Sequence, residues 1–152
     1  MENKINLSNI RLYDKTIKIN IEKNINSLIE KAESVQKWIE SKPAWAVSFN
    51  QLGFSERCFI IKNGKIGLMD NTIINPTFET CKNSKVVNSF ETCLSFPGEK
   101  FTIKRNKMIK MSYYSISLKK YVTIKLHGMS AIVCQHEISH LDGKPCDTLN
   151  EG

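Results

Sequence analysis

His136-Glu137-Ile138-Ser139-His140 is the stretch on which the reading of this chain turns. On a helix, residues four apart lie one above the other, so both imidazoles face one side and can bind a single metal ion. The glutamate between them then lies beside the open coordination position, where it can take a proton from metal-bound water. Two ligands do not close a tetrahedral site, so a third must come from elsewhere in the fold. Upstream, Glu91-Thr92-Cys93-Leu94-Ser95 offers a cysteine among small and polar residues, and a thiolate binds zinc and iron strongly. These two segments together describe a metal-dependent hydrolase.

Other donors compete with Cys93. In His136-Glu137-Ile138-Ser139-His140-Leu141-Asp142-Gly143-Lys144-Pro145-Cys146, the glycine and the final cysteine stand where HExxHxxGxxH proteases carry a glycine and a third histidine. A zinc endopeptidase with Cys146 as ligand is therefore an alternative, although Pro145 and the end of the sequence soon after it tell against that plan. A thermolysin-like site needs a glutamate well downstream, where the sequence has only Glu151 in its tail. Cys93 is the preferred third ligand.

The 152 residues are expected to form one domain, 1–152, large enough to bury roughly two-thirds of its surface. A hydrophobic fraction of 41% and a charged fraction of 24% are those of an ordinary globular protein. No apolar run is long enough to span a bilayer, and the polar start MENKINLSNI does not read as a signal peptide. The five cysteines, odd in number and scattered, suit a reducing compartment and point to the cytoplasm. Almost all of the cationic excess behind the net charge of +7 is lysine, with only Arg11, Arg57 and Arg105 as arginines. Without arginine forks or interleaved aromatics, a solvated lysine surface is expected rather than a specific nucleic-acid partner.

Ile25, Leu28, Ile29, Ala32, Val35 and Ile39 fall on one helical stripe, which predicts an amphipathic helix over 25–40 that ends before Pro43. From Arg57 onward the signal is β. Residues 58–61 and 66–69 flank Lys62-Asn63-Gly64-Lys65 and predict a tight hairpin. Further β-prone runs follow at 72–75, 84–90, 101–104, 108–117 and 120–126. A helix then runs from Gly128 through His140 and stops at Gly143 and Pro145. The predicted class is α+β: a central HExxH helix wrapped by small antiparallel sheets, with the N-terminal helix on the same core.

Three motifs in order then carry a family resemblance. Glu91-Thr92-Cys93-Leu94-Ser95 resembles the EGCLS motif of peptide deformylases, and Gln135 through Gly143 resembles their QHExDHLxG motif. Ala44-Trp45-Ala46-Val47-Ser48-Phe49-Asn50-Gln51-Leu52-Gly53 lies where that family has GxGLAAxQxG, and Ile73-Ile74-Asn75-Pro76 matches its strand-ending INP. The similarity runs from about Pro43 to Asp147. It implies that Cys93, His136 and His140 hold one divalent metal ion, Fe(II) first, with zinc, nickel or cobalt as substitutes. It also implies removal of the N-formyl group from the initiator methionine of nascent polypeptides, with release of formate. Glu137 passes the proton, while the Gln51 side chain and the Leu94 backbone N–H face the developing oxyanion. Glu91 and Arg105 correspond to a carboxylate and an arginine paired behind the metal-bearing segment. By position, Trp45, Ala46, Thr92, Met129, Ile132 and Val133 are expected to line the methionine pocket.

The departures are specific. Ala44 and Ala46 replace both glycines of the first motif, Phe49 replaces a small alanine, Thr92 replaces the glycine before the cysteine, and Ser139 replaces an aspartate. Two added Cβ atoms would narrow or shift the cleft. The sequence ends soon after His140, where bacterial members continue into a C-terminal helix that helps to dock the ribosome. A different docking mode is therefore expected, in a monomer of the phage-borne or organelle kind working in a bacterial or phage-infected cytoplasm. The second alternative is a deformylase-like binding module without catalysis, against which the intact Cys93, His136, His140, Glu137 and Gln51 argue.

Overall fold

Cys58-Phe59-Ile60-Ile61 is apolar at every position because the strand it forms is covered on both faces. In the computed structural model, which describes residues 4–151, this strand β2 (Cys58–Ile61) is buried throughout. Residues 1–3 of the polar N-terminus and Gly152, the two ends of the expected 1–152 domain, lie outside the described residues. Side chains alternate across a strand, so Cys58 and Ile60 join one core cluster, while Phe59 and Ile61 join another.

The first cluster is sealed by α1 (Ile21–Glu40), whose stripe of Leu28, Ala32, Val35 and Ile39 is buried as its period predicts. Its first turn is capped by Asn20, whose side chain accepts from the Lys23 N–H at 3.1 Å. The second cluster is sealed by α2 (Met129–Leu141), which sets Ala131, Cys134, Ile138 and Leu141 against Phe59, Ile73, Ile109, Met111 and Tyr113. The HExxH motif therefore rides on a helix backed by the sheet.

That sheet has five strands in the order β1-β2-β3-β6-β7, all antiparallel neighbours. They are β1 (Ala46–Ser48), β2, β3 (Thr72–Thr80), β6 (Met108–Ser115) and β7 (Lys120–His127). A two-stranded sheet of β4 (Val86–Glu91) and β5 (Phe101–Asn106) covers the other side of α2. Gln135 pins the helix to it, accepting from the Asn106 N–H at 2.9 Å and donating to the Asn106 carbonyl at 2.7 Å. A short α3 (Cys146–Leu149) follows, and Glu151 N–H donates to the Thr102 carbonyl on β5. This is the α+β arrangement expected. Among the described residues no helix is long and apolar enough to cross a membrane.

Two local expectations are corrected. Residues 66–69 form no strand; β2 pairs instead with β3, in the register Cys58↔Ile74, Phe59↔Ile73 and Ile60↔Thr72. Ile66 and Leu68 are apolar because this long connection folds back onto the core. Its end is held by buried Asp70, which accepts from Tyr113 Oη, Ser115 Oγ, and the Ser117 N–H and Oγ. Asn75-Pro76 does not end its strand: β3 continues through a register shift between Ile74 and Thr77. Proline has no N–H for the ladder and Asn75 adopts φ 52°, so the pair makes a bulge rather than a stop. Finally, β1, which lies inside the first motif, and α3 carried no periodic signal and were not foreseen.

The burial of α1 yields a quantitative expectation. Ile39→Ala, at a fully buried position, should cost about 2–5 kcal/mol in urea unfolding, and Ile29→Ala, at a half-buried one, clearly less.

Candidate metal centre

Cys93 follows directly on β4, and the two histidines stand on α2, so the small sheet and the central helix bring the three together. Cys93 Sγ lies 3.2 Å from His140 Nε2. The ligating atoms of Cys93, His136 and His140 all lie within 4.8 Å of one another. The two imidazole centroids are 5.0 Å apart with their planes at 57°, the spacing of one helical turn.

Which nitrogen of His136 is free is decided from behind. Its Nδ1 lies 2.7 Å from Glu91 Oε1, so Nε2 faces the site. Glu91 is itself gripped by Arg105, whose Nε donates to Oε2 at 2.9 Å and whose Nη2 donates to Oε1 at 2.8 Å. Both side chains are buried, at 7% and 4% exposure. Burial pushes the Glu91 carboxyl up, but the Arg105 and His136 bonds outweigh it and hold it well below the usual carboxylate range. The expected pairing of Glu91 with Arg105 is thus present, and it reaches further than expected. Arg105 Nη1 also donates to Ser139 Oγ at 3.0 Å, so the hydroxyl that replaces the aspartate still receives the guanidinium.

Protonation differs between the histidines. Burial, then the neighbouring His136 and Arg105 charges, push His140 well below the ordinary imidazole value, leaving it neutral with a lone pair for an ion. For His136 burial works the same way, but Cys146, Cys93, Glu91 and Glu137 together raise it well above that value. The His140 carbonyl is held by Asn50 Nδ2, while its Nδ1 is buried without a partner among the described residues. One thiol and two imidazoles converging on one point are a donor set that fits a divalent transition metal.

Glu137 is buried beside this cluster, with Oε2 3.9 Å from His136 Nε2. Burial raises its carboxyl, against the opposing effects of His136 and a hydrogen bond from Ser48. That bond was not foreseen from the sequence: Ser48 Oγ lies 3.0 Å from Glu137 Oε1. Gln51 is buried in the 3-10 turn after β1. Its Oε1 accepts from the Ser48 N–H at 2.9 Å, and its Nε2 reaches Ser95 Oγ at 3.0 Å and Cys93 Sγ at 3.5 Å.

The remaining predicted residues differ in their exposure. Leu94 packs on the α1-side cluster and Ala46 is buried in β1. Trp45 and Met129 stay exposed, at 38% and 56%, Ile132 and Val133 are half-buried on α2, and Thr92 is exposed. Phe49 does not crowd the cleft. It turns into the core and packs edge-on against Phe54. Cys146 is placed otherwise than the protease-like alternative requires: its sulfur lies 3.6 Å from His136 Nδ1 and 3.9 Å from Glu91 Oε1. On that far side of the ring it cannot share an ion with His136 Nε2 and His140. Glu91, His136 and Cys146 do form a second close group, but Glu91 already takes two donors of Arg105 there.

A family model for polypeptide deformylase matches residues 4–151. The chain belongs to that family. Over 97 residues it is 36% identical to the peptide deformylase of Thermotoga maritima, an alignment covering 61% of this chain and 54% of that one. Against the Buchnera aphidicola peptide deformylase the figures are 33% over 94 residues, covering 62% of each. The aligned part thus spans about half to three-fifths of these relatives. The solved T. maritima peptide deformylase superposes with a TM-score of 0.75 at 25% identity, covering 99% of this chain and 100% of that one. The PDF of the Vibrio parahaemolyticus bacteriophage VP16T, solved in complex with actinonin, has the same fold, with a TM-score of 0.75 at 23% identity over 94% and 99% of the two chains. Family members are metalloenzymes, in keeping with the donor group found here.

The buried Glu91–Arg105 pair can be tested on the metal-free protein. Arg105→Ala leaves a buried carboxylate without its partner and should cost about 3–5 kcal/mol in chemical unfolding. Because Glu91 is depressed in the folded state, its contribution is complete above the ordinary carboxylate pKa and is lost as pH falls through the lowered one. On acidification the parent should therefore lose more stability than the variant does.

Proposed function

We propose that this chain is a peptide deformylase that removes the N-formyl group from formyl-methionyl peptides of nascent polypeptides and releases formate. The observation that carries the reading is the convergence of Cys93, His136 and His140 with a buried glutamate beside them. These residues would hold one divalent ion, Fe(II) as the native one, with zinc, nickel or cobalt able to occupy the same donors. Such an ion, when bound, supplies Lewis acidity and activates water near neutral pH.

The chain's own groups account for the rest. Glu137 takes a proton and hands it to the departing amine, a task favoured by its burial. The amide of Gln51 and the N–H of Leu94, next to Cys93, are the donors for the oxyanion. Strand β1 is an edge strand among the described residues, and an extended peptide can add beside it by backbone pairing. Trp45, Ala46, Thr92, Met129, Ile132 and Val133 form the proposed methionine subsite, in which exposed Trp45 and Met129 supply apolar surface. The groups named come from α2, the segment after β4 and the stretch from β1 to Gln51 of one chain, which supports a single catalytic domain over 1–152 acting as a monomer. The buried free cysteines support a reducing cytoplasm, and the thiolate an enzyme sensitive to air. Nascent chains would bring such an enzyme to the ribosome.

Formate release from formyl-Met-Ala-Ser by anaerobically purified protein, reconstituted with Fe(II) or Ni(II), tests the reading. Glu137→Ala should bind metal without turnover, Cys93→Ala should lose the metal, and Cys146→Ala should keep it. Metal retained by the first cysteine variant and lost by the second would refute the assignment.

A calorimetric test follows from His136, which holds its proton above the ordinary range in the metal-free protein. Metal uptake must displace that proton, so binding should weaken as pH falls. Titrations near pH 7 in two buffers of different ionisation enthalpy should give different heats, and equal heats would contradict it.

A further inference from the structure

Ser48 stands at the end of β1, fully buried, and its hydroxyl has two acceptors within reach: the Glu137 carbonyl at 2.9 Å and Glu137 Oε1 at 3.0 Å. Both belong to one residue, so whatever this hydroxyl does, it does to Glu137. A dry hydroxyl is costly unless bonded, and both of its acceptors here lie on Glu137 of α2.

We propose that Ser48 is a positioning residue, which tethers one oxygen of Glu137 and so turns the other toward the His136 face of the centre. This rests on the deformylase reading above and adds a residue to it. With Oε1 held by the hydroxyl, Oε2 is the oxygen 3.9 Å from His136 Nε2. The terminal torsion of a glutamate is broad, and a tether that removes this freedom keeps the carboxyl where a proton has to pass. A hydroxyl both donates and accepts. With the carboxylate bare, its proton points to Oε1. With the carboxyl protonated, it can accept from that group and turn its own proton to the Glu137 carbonyl. The contact therefore survives both halves of a proton transfer. The Ser48 main-chain N–H meanwhile holds Gln51 Oε1 at 2.9 Å, so one residue orients the proton carrier and the amide donor together.

The test is Ser48→Ala in the reconstituted protein, read as kcat, KM and bound metal, with a thermal double-mutant cycle against Glu137→Ala on the metal-free protein. The expectation is a kcat lowered about tenfold or more, with KM and metal content within about twofold of the parent. In the cycle, Ser48→Ala should cost less thermal stability in the Glu137→Ala background than in the parent, because the contact with Oε1 is already gone while the one with the residue-137 carbonyl remains. Turnover within about twofold of the parent overturns the proposal. Absence of formate from the parent itself would count against the deformylase reading instead. The Ser48 inference would then rest on the metal-free cycle alone, where equal costs in both backgrounds overturn it.

Discussion

A buried carboxylate holds this site together. Glu91 accepts two bonds from Arg105 and lies 2.7 Å from His136 Nδ1, so a strand end, a neighbouring strand and the central helix meet at one charge. Charge-assisted bonds are strong where water is excluded, and leaving either partner alone there is costly. The same contact selects Nε2 of His136 as the nitrogen presented to the centre. Since Cys93 lies two residues beyond Glu91, anchoring the carboxylate also sets the reach of the thiol. The fold, the tautomer and the thiol position thus depend on one cluster.

Opposite it, the segment from β1 to Gln51 reaches the same cluster, and there the altered first motif still brings Gln51 to Cys93 and Ser48 to Glu137. Phe49 points into the α1-side core rather than the cleft, because consecutive residues at the end of β1 face opposite ways. The serine before it points toward α2 and meets Glu137. The exchange of aspartate for Ser139 costs a charge but not the contact, since Arg105 still finds an oxygen at that position. The substitutions near the centre have changed how its groups are supported rather than whether they are present.

Legibility followed periodicity. The α1 stripe was readable because a helix packed on one side writes a period of about 3.6 into the sequence. The HExxH spacing was readable because helical geometry alone puts both rings on one face. Ile66 and Leu68 misled because burial, not strand pairing, makes a residue apolar, and a loop folded on a core looks like a strand. Asn75-Pro76 misled because a bulge and a strand end use the same residues. Segment 4–20 carried no periodic signal. Yet Thr16 and Arg57 together hold the Leu141 carbonyl, and Gly143 passes so close to the Tyr13 carbonyl that a Cβ there would sit at 2.6 Å. How α2 exits is thus decided by a stretch that the sequence left blank.

The residue types and spacings by themselves determined the chemistry on offer: two imidazoles and a carboxylate on one helix, a thiol in a short polar segment, and an α+β order of elements. These are local properties, set by backbone geometry and side-chain functional groups. What only the tertiary structure decided is which groups meet. Cys93 and Cys146 are equally good sulfur donors on paper, and both end near His136. One lies beside His140 Nε2 and the other behind the ring at Nδ1, because β4 and α3 reach α2 from different sides. Ser48 gains its contact only because the packing of β1 on α2 brings its hydroxyl to Glu137. Contacts between distant segments depend on how helices and sheets stack, and that information is spread over the whole core rather than written at the site.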